Sequence, residues 1–261
     1  MRIIHLSDLH FGTVADGLQR DLIEHIRQEP ADLVIVSGDF TQTASIAEFQ
    51  MARAFLDSLN IPFFCIPGNH DIPRYEIWLR LFDPYVRYQK YISQTLFPML
   101  EKENICIAGI NTARRVLPHW NWANGGVSMT QIYYLENYFW AHPGKIKICV
   151  MHHPVHQAEH SHSFKTVVFG AARALQAIKD MKVNLVLTGH VHHASITRVQ
   201  EDGHNTIFLS ASTALSTRLR MQKNGYNIIN IHDGLIEIDI CAYEGNAFKC
   251  IRSLRQDVQT S

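Results

Sequence analysis

The stretch from Ile3 to Asp71 carries three short apolar runs, each closing on a polar cluster: IIHLSDLH (3–10), LVIVSGDF (33–40) and FFCIPGNHD (63–71). Brief runs rich in Ile, Val and Phe, bounded by Ser, Gly, Pro and Asp, read as buried strands. Between them, Leu18–Arg27 and Ala44–Leu59 repeat apolar residues at helical spacing. The order β-α-β-α-β over about 65 residues predicts a parallel sheet with right-handed crossovers. In open sheets of this kind ligands bind at the carboxyl ends of the strands, so SDLH, SGDF and PGNHD are expected to meet on one edge.

Downstream, residues 72–104 are aromatic-rich (YEIWLRLFDPYVRYQKYISQTLFPML) and read as helical, without a strand. The expectation is a helical cap insertion over the sheet edge, with an ordinary packed insertion as the alternative. Strands at Ile105–Ile110, Ile146–Met151 and Asn184–Leu187 then alternate with helices at Thr130–Ala141 and Gly170–Met181. Four further strand-like runs follow: Ala194–Val199, Thr206–Leu209, Tyr226–Ile231 and Leu235–Ile240. EDG (201–203) and HDG (232–234) mark hairpin turns between them. Residues 250–261 are polar and expected to fray. With no linker or repeat in view, residues 1–261 are expected to form a single domain.

Composition narrows the function. Hydrophobic residues make up 46% and charged residues 18%, which suits a globular protein with a sizeable core. Twenty-four basic and 24 acidic residues cancel, so no long-range field draws the chain to nucleic acid or an anionic membrane. No apolar run reaches membrane-spanning length, and the opening MRIIHLSDLH already reads as a strand rather than a signal segment. A cytoplasmic protein is the expectation. Cys65, Cys106, Cys149, Cys241 and Cys250 form no C-x-x-C pair and read as small buried residues in a reducing compartment.

Histidine is the unusual component, with 16 copies. Many fall in five clusters: Asp8-Leu9-His10, Gly38-Asp39, Gly68-Asn69-His70-Asp71, His152-His153-Pro154 and Gly189-His190-Val191-His192. Singly each is a weak signal; jointly they are strong, because every one lies where an apolar strand ends. Residues two apart on an extended strand share a face, so Asp8 with His10, and His190 with His192, could each grip one ion. Imidazole with carboxylate suits iron, manganese, zinc or cobalt. Two such ions roughly 3.5–4 Å apart need a bridging anion, activate a shared water to hydroxide, and neutralise phosphoryl oxygens.

The ordered pattern D-x-H, G-D, G-N-H-D, H-H-P, G-H-x-H, spanning residues 8–192, resembles the calcineurin-like metallophosphoesterase superfamily. SDLH, PGNHD, MHHP and TGHVHH look most like its bacterial class III cyclic nucleotide phosphodiesterase and glycerophosphodiesterase group. The resemblance implies an α/β sandwich of two packed sheets. It implies that Asp8, His10 and His192 hold one metal, Asn69, His152 and His190 the other, and that Asp39 bridges them. It further implies that His70 is the acid or phosphate-binding group and that Asp71 orients it by hydrogen bonding.

The function then expected is hydrolysis of a small phosphodiester, such as a 3′,5′-cyclic nucleotide, by a hydroxide shared between the two ions. A pyrophosphate in a nucleotide-lipid precursor, a phosphomonoester, or DNA are alternatives for the same site, and a non-enzymatic scaffold is a remote one. A homodimer is compatible with the pattern. His5 is read as a core residue. His156, His160, His162, His193, Arg114, Arg115, Trp120 and Trp122 are weighed between a place at the substrate pocket and ordinary packing or solvation.

Overall fold

The computed structural model describes residues 1–28, 30–116, 121, 123–156, 168–217 and 222–258. The first 65 residues follow the expected order: β1 (Arg2–Leu6), α1 (Leu18–Gln28), β2 (Leu33–Val36), α2 (Ile46–Leu59) and β3 (Phe63–Cys65). Strands β1, β2 and β3 pair in parallel, with Ile4 opposite Val34 and Ile35 opposite Phe64. Helix α2 starts on a capping box. Ser45 Oγ accepts from Glu48 N, and the Glu48 carboxylate accepts from Ser45 N, so two otherwise orphaned donors are satisfied.

The next segment brings α3 (Ile77–Phe82), α4 (Val86–Tyr91), β4 (Met99–Lys102), β5 (Ile105–Ile110) and β6 (Gly125–Gly126). It corrects the strand-free helical reading of 72–104. Strand β4 pairs antiparallel with β5, Met99 opposite Ala108, although its sequence MLEK has no strand-like alternation. Edge strands are held by main-chain hydrogen bonds to one neighbour and need bury little, so composition does not betray them. Tyr88 and Ile92 belong to the core beside Phe40, whereas Trp78 and Phe82 stack on each other on the exposed α3.

The rest is α5 (Met129–Trp140), β7 (Ile146–Met151), β8 (Val168–Phe169), α6 (Ala171–Asp180), β9 (Leu185–Thr188), β10 (Ser195–Glu201), β11 (His204–Ser210), β12 (Gly225–His232), β13 (Leu235–Glu244) and β14 (Ala247–Asp257). The frayed tail expected from residue 250 is also corrected. Strand β14 runs to Asp257, paired antiparallel with β13 along its length. It too is a polar, largely exposed edge, carrying Lys249, Arg252 and Arg255. Charges of this kind discourage pairing with another chain.

Two mixed six-stranded sheets result, ordered β14-β13-β12-β1-β2-β3 and β10-β11-β9-β7-β5-β4. Strand alternation sorts the core into layers. Ile3, Ile35 and Ile66 pack between the sheets against Ile107, Ile148 and Leu187. Ile4, Leu6 and Val34 face the other way onto Leu22 and Ile26 of α1 and Phe49 and Phe55 of α2. Ala108 and Met151 do the same toward Ile132 of α5 and Ile178 of α6. Each fully buried Ile, Leu or Phe contributes roughly 1.5–3 kcal/mol. The architecture is thus an α/β sandwich of two packed sheets with helices on both outer faces. No helix of the described residues is long and apolar enough to cross a membrane.

Candidate metal centre

The five clusters fall on loops at the carboxyl ends of β1, β2, β3, β7 and β9, so both sheets supply residues. These loops are stitched together. Asp8 N donates to Gly38 O, His10 N to Asp39 O and Gly189 N to His152 O, each at 3.0 Å. The expectation that Asp8 with His10 and His190 with His192 pair by extended-strand spacing is corrected. All four lie beyond their strands at left-handed φ of 52°, 46°, 69° and 56°, and Asp39 joins them at 56°.

Asp8 and Asp39 are both buried, and each divides its carboxylate in the same way. Asp8 Oδ2 accepts from Ser7 Oγ (2.6 Å) and His190 N (3.0 Å), while Oδ1 has no hydrogen-bond partner among the described residues. Asp39 Oδ1 accepts from His70 N at 2.8 Å, while Oδ2 faces His10 and His152. Burial alone would raise both carboxyl pKa values. The neighbouring imidazoles outweigh it and hold both below the usual range, His192 foremost for Asp8 and His152 for Asp39. Two buried carboxylates, each with one oxygen turned toward imidazoles and away from its backbone and hydroxyl donors, are a costly arrangement that a bound cation would relieve.

Around these oxygens the donor atoms form two sets. In one, His192 Nε2 lies 3.2 Å from Asp8 Oδ1 and 3.3 Å from His10 Nε2, and His10 Nε2 lies 3.7 Å from Asp39 Oδ2. In the other, Asn69 Oδ1 lies 3.2 Å from His152 Nε2 and 3.0 Å from His190 Nδ1, and His152 Nε2 lies 3.4 Å from Asp39 Oδ2. Metal–nitrogen bonds of about 2.0–2.1 Å in a tetrahedral site put neighbouring donors about 3.3 Å apart, so these separations suit the edges of a coordination shell. Asp39 Oδ2 is common to both sets.

Protein acceptors fix the imidazoles. His152 Nδ1 donates to Ser37 O at 2.7 Å, which turns Nε2 toward Asp39. Burial opposes a charge on His152, yet Asp39 and Asp8 together lift its pKa to about 9. His190 goes the other way, lowered to about 3 by burial and by His152. Thr213 Oγ1 sits 2.6 Å from His192 Nδ1. His153 is also close, its ring centroid 4.4 Å from that of His190, but its nitrogens engage the protein. Nε2 donates to Ala123 O (3.0 Å), and Nδ1 faces Thr112 Oγ1 (2.8 Å).

His70 lies at the border of the cluster, edge-on to His10 at 4.7 Å, with Nδ1 donating to Gln42 O at 2.8 Å. Its Asp71 neighbour does not hold that ring, which corrects the expected hydrogen bond. Asp71 Oδ2 accepts from Gly68 N (2.8 Å), and Oδ1 accepts from Thr41 N and Oγ1 (both 3.0 Å). It therefore locks the G-N-H-D turn to the loop after β2. Burial, then Asp39, raises its pKa to about 7.

Of the other residues, His5 is core: Nδ1 accepts from Asn227 Nδ2 (3.1 Å) and Nε2 faces Ser37 Oγ (2.9 Å). His193 points to Gln222, and His156 packs against Phe208. Arg114 donates to Asn111 O and Gln131 Oε1, and Arg115 donates to Leu81 O. His160, His162, Trp120 and Trp122 lie outside the described residues. The supports that sequence reasoning missed are Thr41, Thr112, Thr213 and the carbonyls of Ser37 and Gln42. Main-chain acceptors leave no signature in a sequence.

A profile described as calcineurin-like phosphoesterase matches residues 1–194. The chain is 28% identical over 177 residues to a probable glycerophosphodiester phosphodiesterase of Arcobacter nitrofigilis, covering 67% of this chain and 61% of that protein. It is 34% identical over 82 residues to a glycerophosphodiester phosphodiesterase of Enterobacter lignolyticus, covering 27% and 30%. A UDP-2,3-diacylglucosamine pyrophosphatase of Chlamydia muridarum is 31% identical over 78 residues, covering 29% and 24%. The chain thus covers less than two thirds of the length of each of these relatives. Among solved structures, a purple acid phosphatase from yellow lupin (Lupinus luteus) seeds aligns with TM-score 0.73 and 13% identity, over 98% of this chain and 53% of that one. Wild-type Vps29 complexed with zinc, from Entamoeba histolytica, aligns with TM-score 0.52 and 13% identity, over 98% and 99%. At such identities the likeness is one of fold.

Proposed function

The chain belongs to the calcineurin-like phosphoesterase family, and from that premise we propose that it hydrolyses phosphate esters at a two-cation centre. One cation is assigned to Asp8, His10 and His192, the other to Asn69, His152 and His190, with Asp39 bridging. The observation that carries this reading is the sharing of Asp39 Oδ2 between two donor sets, 3.7 Å from His10 Nε2 and 3.4 Å from His152 Nε2. Bound there, divalent cations would supply an acidified water and offset the charge that grows on the phosphoryl oxygens.

The chain's own groups do the rest. Ser37 O holds the His152 tautomer, and Gly68 N and Thr41 hold Asp71, so the Asn69–Asp71 turn keeps its place against Asp39. His70 is assigned as the proton donor to the leaving oxygen. The bond from Nδ1 to Gln42 O fixes the ring at the border of the cluster, and Nε2 is assigned to carry and release that proton. Asp71 acts as a positioning residue for the turn that presents it. Because donors come from residues 8 to 192 and from both sheets, we take the whole chain as one functional domain.

The substrate class we favour is a small phosphodiester, either a glycerophosphodiester or a 3′,5′-cyclic nucleotide. The two relatives whose names specify glycerophosphodiesters support the first. A nucleotide-lipid pyrophosphate is the second reading, supported by the pyrophosphatase relative. Manganese, iron, zinc and cobalt all suit the donors. Assaying manganese-loaded protein on bis(p-nitrophenyl) phosphate, glycerophosphodiesters, cyclic nucleotides and nucleoside diphosphate conjugates tests the proposal. Turnover of a diester that exceeds turnover of the diphosphate conjugate is expected. A folded protein with two ions bound and no hydrolysis of any phosphate ester would defeat it.

A further inference from the structure

Strands β13 and β14 are joined by a two-residue turn, Gly245–Asn246, with both residues at left-handed φ (55° and 78°). That turn sets a register in which Tyr243 faces Phe248 and Cys241 faces Cys250 directly, with a shift in the ladder between Ile240 and Cys241. Residues directly opposite in an antiparallel pair hold their Cβ atoms about 4.5–5.5 Å apart. A disulfide needs only a slightly closer approach, about 3.5–4.5 Å. The two sulfurs already lie 2.7 Å apart.

The two thiols differ in access, Cys241 being buried and Cys250 exposed. On its other side Cys241 is paired in the ladder with Tyr226 of β12, whose hydroxyl lies 2.5 Å from His25 Nδ1 on α1. Cys65, Cys106 and Cys149 are all buried, and no other sulfur–sulfur contact occurs among the described residues.

We propose that Cys241 and Cys250 are a modification site, a dithiol that closes reversibly to a disulfide across the β13–β14 hairpin. With a small disulfide such as oxidised glutathione as oxidant, the Cys250 thiolate attacks one of its sulfurs and releases one glutathione thiolate. Cys241 then attacks Cys250 Sγ in the mixed disulfide, and the second glutathione leaves as a thiolate that takes up the Cys241 proton. Two protein thiols are oxidised by two electrons, and one glutathione disulfide is reduced to two thiols. The outer cysteine is the one a bulky oxidant reaches, and the inner one resolves.

The test uses the folded full chain incubated with excess oxidised glutathione, quenched in acid, alkylated with iodoacetamide and mapped without reduction. The expected result is a cross-linked Cys241–Cys250 peptide and an intact mass lower by two hydrogens, both reversed by dithiothreitol. Cys241→Ser should instead trap a glutathione adduct on Cys250. Wild-type protein in which both thiols alkylate fully, or in which Cys250 keeps a stable glutathione adduct, would overturn the proposal. Neither outcome bears on the metal centre.

Discussion

Asp8, His10, Asp39, His190 and His192 all hold left-handed φ between 46° and 69°. Such a conformation costs an L-residue roughly 1–2 kcal/mol, and it is over-determined here by the hydrogen bonds that tie the loops together. Residue types exposed these candidates in the sequence, but the geometry was not legible: an extended D-x-H pair was expected where the backbone coils. At this scale two predictions follow from position. His70→Ala should retain its metal content while turnover of esters with poor leaving groups falls by about 10²–10⁴, the range for a lost general acid. Activated nitrophenyl esters should suffer less, and an equal loss on both would remove the acid role. His5 yields the second. Burial, opposed only in part by Asp8, lowers its pKa from 6.5 to about 3. Between those values the unfolded chain binds the extra proton, so stability rises with pH across this window and is lost as pH falls through it. Each pH unit in the window is worth about 1.4 kcal/mol for this group. Thermal midpoints of His5→Gln between pH 6.5 and pH 4 should therefore fall less steeply than those of the parent chain, and parallel slopes would contradict the assignment.

Sequence reading found the elements with an apolar or alternating pattern: β1, β2 and β3 with their two crossover helices, β5, β7 and β9 with α5 and α6, and the strands β10 to β13. Besides the two-residue β6 and β8, which are too short to show a period, those it missed are β4 and β14, edges whose side chains mostly face solvent. Their existence depends on a neighbour's free main-chain groups, which no local pattern records. The ends of elements matter as much as their bodies. After β9, a Cβ on Gly189 would collide with Ser7 Oγ and come 2.6 Å from Asp8 Oδ2, so this glycine lets the loops of the two sheets touch. Gly189→Ala should accordingly part Asp8 from His190 and His192 and lower the bound metal, measured by elemental analysis, with secondary structure by circular dichroism unchanged. Full metal content would refute that role. Ser45→Ala, which removes the α2 cap, should by contrast cost about 1 kcal/mol in denaturant unfolding and leave metal content alone.

Across the whole molecule, the sheets are bound by an apolar layer at their centre and by polar loops at one edge. The donor atoms belong to that edge and come from β1, β2 and β3 on one sheet and β7 and β9 on the other. A cation held there links the sheets and stabilises the native state in proportion to its binding. Saturation at 100 times the dissociation constant is worth about 2.7 kcal/mol. Chelation should then lower the thermal midpoint of the parent chain and barely move that of Asp39→Ala; an equal shift in both would place the effect elsewhere. The most direct test is metal counting: elemental analysis of manganese-loaded, desalted protein beside Asp39→Ala. Two ions per parent chain and loss of both in the variant are the predicted result. A parent chain that is folded yet retains no ion, or a variant that keeps both, would contradict the shared-carboxylate centre.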